Sequence, residues 1–173
     1  MPGPNPIDPI SGARIGIDTV HAMIHEGRLF VASVFNTSLA PNDALLLRVS
    51  VPADTYPHFR AEVAGGGNTN FTIYESTGYF GGKEIIPVNR NRNSPNVART
   101  RLFDNPKVGS PIGLIIIDGP EILPGGVATQ GSGVLADVFE EFILRPETDY
   151  LCVLRNISTV PQVAGIDVAF YEH

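Results

Sequence analysis

The sequence predicts an all-β fold, an antiparallel β-sandwich or jelly roll, on three observations. Glycine and proline are frequent, 18 and 15 of 173 residues, so tight turns are plentiful and long helices are not. Charged residues are only 17% of the chain, too few for a set of helices that each present a charged face to water. Short apolar or alternating runs recur between clusters of Gly, Pro, Asn and Asp, the punctuation of strands joined by turns.

This length suits one domain that buries a core without disulfides or metals. We expect a single domain over residues 14–173, preceded by an extended arm over 1–13. The arm, with Pro4, Pro6 and Ile7 at its centre, can neither form a helix nor join a central strand, which makes it a frayed terminus or a partner contact. A net charge of −6 and a pI near 5.1 argue against nucleic acid as a partner, because phosphate binding needs a broad basic surface. No stretch reaches the roughly 20 apolar residues of a membrane span. The first residues lack the basic and apolar regions of a signal peptide, so a soluble protein made in a reducing cytoplasm is expected. Cys152 has no partner for an internal disulfide and lies in the apolar run Tyr150–Leu154, where it reads as a small buried hydrophobe.

Taken in order, Arg14–Asp18, Val20–His25 and Arg28–Phe35 read as strands, the last two joined by a Glu26-Gly27 hairpin turn. On a strand His21 and His25 point to the same side two pleats apart, and no third ligand completes a zinc site, so no metal is expected. After the Pro41–Asp43 turn, Ala44–Val51 is apolar almost throughout and reads as a strand buried on both faces. His58–Val63 and Asn70–Ser76 alternate. The Gly65–Gly67 run between them reads as a flexible hairpin, because a phosphate loop would need a lysine and a hydroxyl that are absent. Further strands are expected at Arg99–Phe103, with its two arginines on one face, at Ile112–Ile117, Val138–Leu144, Tyr150–Asn156 and Ile166–His173. Gly119–Gly133 reads as a long glycine-rich excursion and Arg145–Asp149 as a turn.

The most unusual stretch is Glu84–Arg101, which gathers four arginines and four asparagines in an acidic chain. Pro87 and Pro95 interrupt any helix and the Asn, Ser and Pro cluster is turn chemistry, so the stretch reads as an irregular, exposed loop. Asn89, Arg90, Asn91, Arg92, Asn93, Arg99 and Arg101 are therefore the candidate partner-binding residues, together with the arm. Guanidinium groups suit carboxylates and backbone carbonyls on another protein. The bland alternative is that these arginines are solvated or pair internally with Glu84 or Asp104.

Four segments carry a family resemblance: His25-Glu-Gly-Arg-Leu-Phe30, Phe71-Thr-Ile-Tyr-Glu75, Gly81-Gly-Lys-Glu-Ile-Ile-Pro-Val-Asn-Arg-Asn-Arg-Asn-Ser94 and Phe170-Tyr-Glu-His173. In this order they resemble a family of small tailed-bacteriophage virion proteins, the capsid decoration or cement proteins. The likeness runs from about Met23 onward and is most specific in the asparagine-arginine loop. It implies a structural virion protein on the capsid outer surface, assembled in the host cytoplasm, a homotrimer whose partner is the major capsid protein. The proline-rich arm and the Ile112–Gly133 segment depart from the family pattern, which bears on how such a chain would attach.

Two other classes compete with this one. A carbohydrate-binding or host-adhesion module favours exposed aromatic platforms; Trp is absent, leaving Tyr56, Tyr74 and Tyr79. An enzyme needs a convergent acid, base or nucleophile set, whereas His21, His25, His58 and His173 have no nucleophile motif beside them and Glu140 and Glu141 would face opposite ways on a strand. We expect no catalytic residues and no cofactor.

Overall fold

A computed structural model describes residues 19–76, 78–110, 112–122, 134–137 and 141–172. The arm, with Pro4, Pro6 and Ile7, and the expected Arg14–Asp18 strand lie outside them, as do most of the Gly119–Gly133 excursion and Val138–Glu140. Among the described residues there is one short helix, α1 (Thr19–His25), and fourteen strands, all paired antiparallel.

Two six-stranded sheets form the sandwich. Sheet 1 contains β1 (Leu29–Leu39), β3 (His58–Gly65), β7 (Val88–Asn89), β11 (Val134–Asp137), β12 (Phe142–Ile143) and β14 (Gln162–Tyr171), in the order β11-β3-β14-β1-β7 with β12 also on β3. Sheet 2 contains β2 (Ala44–Ser50), β4 (Thr69–Ser76), β6 (Lys83–Ile85), β8 (Arg101–Asp104), β10 (Leu114–Ile122) and β13 (Asp149–Asn156), in the order β10-β4-β13-β2-β8-β6. A two-stranded ribbon, β5 (Tyr79–Phe80) and β9 (Lys107–Val108), stands apart.

Period-two alternation builds the core. Phe30 and Val34 of β1, Val63 of β3 and Ile166 and Phe170 of β14 face Leu47 and Val49 of β2, Phe71 and Ile73 of β4 and Cys152 and Leu154 of β13, all buried in one cluster. The rings of Phe30 and Phe170 pack with centroids 5.7 Å apart on directly opposed positions. Each such side chain contributes about 1.5–3 kcal/mol when buried, so eleven of them outweigh any surface pair. Cys152 is fully buried, as its apolar run predicted, and burial pushes its thiol up to about 12.

The second face of sheet 2 is covered by the ribbon. Tyr79 packs on Leu151 and Val153 and donates its hydroxyl hydrogen to the Ile112 carbonyl. The strand buried on both faces is therefore β13, at the centre of its sheet. On β2 the pattern alternates instead: Leu45, Leu47 and Val49 point inward, while Arg48 points outward and forms a two-pronged contact with Asp149 at 2.9 and 3.2 Å.

The connections β1–β2, β3–β4 and β13–β14 are among those that cross from one sheet to the other. The triple-glycine segment is thus a crossover, and the expected hairpin is replaced by strands that pair in different sheets. Asn156 clamps these crossings. Its buried amide donates to Leu39 and Val160 carbonyls, both at 2.9 Å, and accepts from Gln162 Nε2 at 2.7 Å, while Gln162 also reaches the Asn68 carbonyl at 3.0 Å.

The largest departure from the sequence reading is α1. Val20–His25 is helical because Gly27 adopts φ 68°, which lets its N–H bond Ile24 at 3.0 Å and the Arg28 N–H bond Met23 at 2.9 Å. This is a glycine-terminated helix end, built from the same Glu-Gly pair that reads as a hairpin turn. His21 and His25 consequently stand one helical turn apart with Nε2 atoms 2.9 Å from each other. Among the described residues no group of three or more His, Cys, Asp or Glu is placed to hold a metal ion.

Candidate functional site

The asparagine-arginine loop packs against the end of α1 and is built by its own amides. Asn89 is buried; its Nδ2 donates to the carbonyls of Gly27 at 2.8 Å and Asn96 at 3.1 Å, and its Oδ1 accepts from the Asn91 N–H at 2.9 Å. Asn91 repeats the arrangement, donating to the His25 carbonyl at 3.0 Å and accepting from the Asn93 N–H at 3.1 Å. Asn96 donates to Glu26 and Gly27 carbonyls at 3.3 and 3.2 Å. Asparagine suits this task because its short amide reaches its own backbone two residues on and still has a donor left for a second segment. The loop is anchored, with two residues of it paired as β7 on β1.

The four arginines have separate fates. Arg101 lies on β8 and pairs with Glu84 at 2.8 and 3.1 Å, its guanidinium also 5.0 Å from the Phe103 ring centre. Hydrogen bonding by Arg101 holds the Glu84 carboxyl below the usual carboxylate range. Arg99 lies ahead of β8, so the two arginines do not share a strand face; its guanidinium donates to the Asp54 and Ala53 carbonyls at 3.1 and 3.0 Å. Arg92 is exposed and, among the described residues, reaches only the Asn89 carbonyl, at 3.5 Å. Arg90 is exposed, and its side chain makes no hydrogen bond or ion pair among the described residues. Asn93 is exposed at the tip.

Arg90 stands at the rim of a recess of about 270 Å³ on the outer face of sheet 1, lined also by Val31, Ser33, Arg60, Glu62 and Asp167. The floor is shallow because opposed positions along the face are small: Val31 faces Ala169, and Phe35 faces Gly165. Ser33 Oγ donates to Asp167, and Arg60 lies 3.5 Å from Glu62. Both acids lining the recess thus have partners, while Arg90 on the rim keeps its donors available among the described residues. The chemistry offered is that of a recess for an acidic or carbonyl-bearing surface.

A cluster that the sequence reading did not find lies two residues along β3 on the same face. His58 Nδ1 is 2.5 Å from Glu141 Oε1, Tyr171 bonds Glu141 at 2.8 Å, and the His58 and Tyr171 rings stack at 4.4 Å. Burial, reinforced by the Glu141 bond, pushes the Tyr171 phenol up to about 12. These residues are 30 to 113 positions apart, and the pairings of β14 and of β12 with β3 join them, so no local signal could have found them. Of the tyrosines considered as sugar platforms, Tyr79 is buried and Tyr56 is exposed.

Three of the four quoted motifs meet: the His25–Gly27 turn, the asparagine loop and the end of β14 lie at one end of sheet 1, Glu172 accepting from the Arg99 and Thr100 N–H groups, while Phe71–Glu75 lies on β4 of sheet 2. No helix among the described residues is long and apolar enough to cross a membrane. No family model, no curated protein and no solved structure matches the chain.

Proposed function

We propose that this chain is a structural virion protein, a capsid decoration protein that binds the outer surface of a tailed-phage head and bridges neighbouring coat subunits. The observation that carries this reading is the asparagine-built loop that presents Arg90 and Arg92 without acidic partners among the described residues, beside a recess on the outer face of sheet 1. An anchored loop loses little conformational freedom on binding, so charge-assisted bonds to a partner are not cancelled by the entropy of ordering it. The resemblance in the four motifs supplies the shell. Bridging would stabilise it mechanically, since separating two coat subunits would also break the contacts each makes to the same decoration subunit.

Quantitative mass spectrometry of purified particles tests this directly. Copies in simple ratio to the coat protein are expected, and replacing Arg90 and Arg92 together by Ala should lower that occupancy without lowering the melting temperature of the free protein. Unchanged occupancy removes the loop from the interface. A few copies per particle replaces the shell reading with a tail or fibre component, where the host-adhesion alternative applies.

A further inference from the structure

Histidines bind a metal ion only when their ring nitrogens converge on one point. On a strand, residues 21 and 25 would stand about 13 Å apart, at roughly 3.3 Å per residue. On α1 the same spacing is one turn, and residues four apart lie one above the other on one face. The His21 and His25 Nε2 atoms are 2.9 Å apart, with ring centroids 4.7 Å apart and planes tilted by 58°. Both residues are exposed, so a solvated ion reaches them without disturbing the core.

The separation discriminates among ions. Imidazole nitrogen binds a divalent transition metal at about 2.0–2.1 Å, so two such ligands at right angles lie about 2.9 Å apart and two at the tetrahedral angle about 3.3 Å. The observed distance is the right-angle value, that of neighbouring positions in the tetragonal coordination that Cu(II) and Ni(II) favour. In the metal-free pair one Nε2–H donates to the other Nε2 and holds the rings at this distance. Metal binding then requires only that the donor ring carry its hydrogen on Nδ1 instead.

We propose that His21 and His25 form a two-nitrogen chelate for a divalent transition ion, Cu(II) ahead of Ni(II), with water in its remaining positions. Two protein nitrogens make a more exchangeable site than the four ligands of a structural metal. The consequence lies at the end of α1. A helix of seven residues is too short to hold itself, and the asparagine loop is built on its carboxyl end: the His25 carbonyl accepts from Asn91 and the Gly27 carbonyl from Asn89 and Asn96. An ion that spans the last turn therefore stabilises the platform on which the loop rests, because the unfolded chain does not hold the two nitrogens together. The chelate is independent of the shell reading, and the isolated chain tests it.

Calorimetric titration of the full chain with copper, nickel and zinc chlorides in a non-coordinating buffer at neutral pH should give one ion per chain, bound in the order copper, nickel, zinc. His21→Ala and His25→Ala should each weaken copper binding at least tenfold, whereas His58→Gln should leave it unchanged. Nickel should raise the melting temperature of the wild type and of neither alanine variant. Electron paramagnetic resonance of the copper-loaded wild type should show an axial signal with coupling to two nitrogens, a readout that stands even if a variant misfolds. Absence of copper binding overturns the chelate. Copper binding unchanged in both alanine variants assigns the ion to other donors, the amino terminus included, and overturns it too, as does a spectrum with fewer than two coupled nitrogens. Zinc bound as tightly as copper contradicts the right-angle geometry and the assignment with it.

Discussion

The Glu172 carboxylate accepts the backbone N–H of Thr100 at 2.6 Å and that of Arg99 at 2.9 Å, fastening the end of β14 to the end of the asparagine loop 72 residues earlier. Both ends of the loop are therefore held, one by Asn89 against the α1 turn and the other by a buried acid. Glu172→Ala leaves two N–H groups without their acceptor in a site that is 8% exposed. Hydrogen bonds to a charged group contribute about 1.5–3 kcal/mol, so at roughly 2–4 °C per kcal/mol for a chain of this length the melting temperature should fall by roughly 3–12 °C. Glu172→Gln, which keeps one acceptor oxygen, should lose about half as much; equal melting of Glu172→Ala and wild type would refute the clamp.

Gly27 tests the helix ending. A Cβ there would lie 2.1 Å from Ser94 Oγ, at a φ of +68° that side chains disfavour. Gly27→Ala should cost about 1 kcal/mol in backbone strain and about 1–3 kcal/mol more from overpacking, read by urea denaturation. Adding Ser94→Gly should recover the packing part and leave the strain. Full stability of the single variant would mean that the turn and loop do not meet as described.

Two asparagines of the same chemistry should behave oppositely. Asn156→Ala removes a buried amide that serves Leu39, Val160 and Gln162, and each abandoned polar group costs about 1–3 kcal/mol, so a loss of at least about 3 kcal/mol is expected on denaturant unfolding. Asn93→Ala at the exposed loop tip should leave the midpoint where it was. Similar effects from both would show that the crossovers are held by something other than Asn156.

Alkaline pH should unfold the protein. Cys152, Tyr79, Tyr150 and Tyr171 are all pushed up to about 12, chiefly by burial, from ordinary values of 9.0 for the thiol and 10.0 for the phenols. Above pH 9 the unfolded chain therefore sheds protons that the folded chain retains, and stability falls as pH rises. Melting temperature should show no contribution from these groups below pH 9 and decline steadily from 9 to 12. In the same series, a thiol reagent at pH 8 should label Cys152 only on unfolding; rapid labelling of the native protein would contradict its burial.

How much of this was legible follows from the range of each signal. The all-β class, the strands around Ala44–Ser50, His58–Gly65 and Tyr150–Asn156, the turns at Pro41–Asp43 and Arg145–Asp149, and the burial of Cys152 rest on composition and period-two alternation, which are local. The helix was missed because Glu26-Gly27 can close a hairpin or end a helix, and only the bonds from Gly27 and Arg28 back to Ile24 and Met23 choose between them.

The sequence by itself determined the all-β class, the alternation along β3 and the concentration of arginine and asparagine in one loop, since these are written in composition or in adjacent residues. Tertiary structure decided the rest. It placed Arg101 beside Glu84 and Arg99 on the carbonyls at 53 and 54, left Arg90 with its donors open over a recess, and brought His58, Glu141 and Tyr171 together. Such outcomes depend on which strands become neighbours, and that is set by the packing of two whole sheets, a property no short stretch of residues carries.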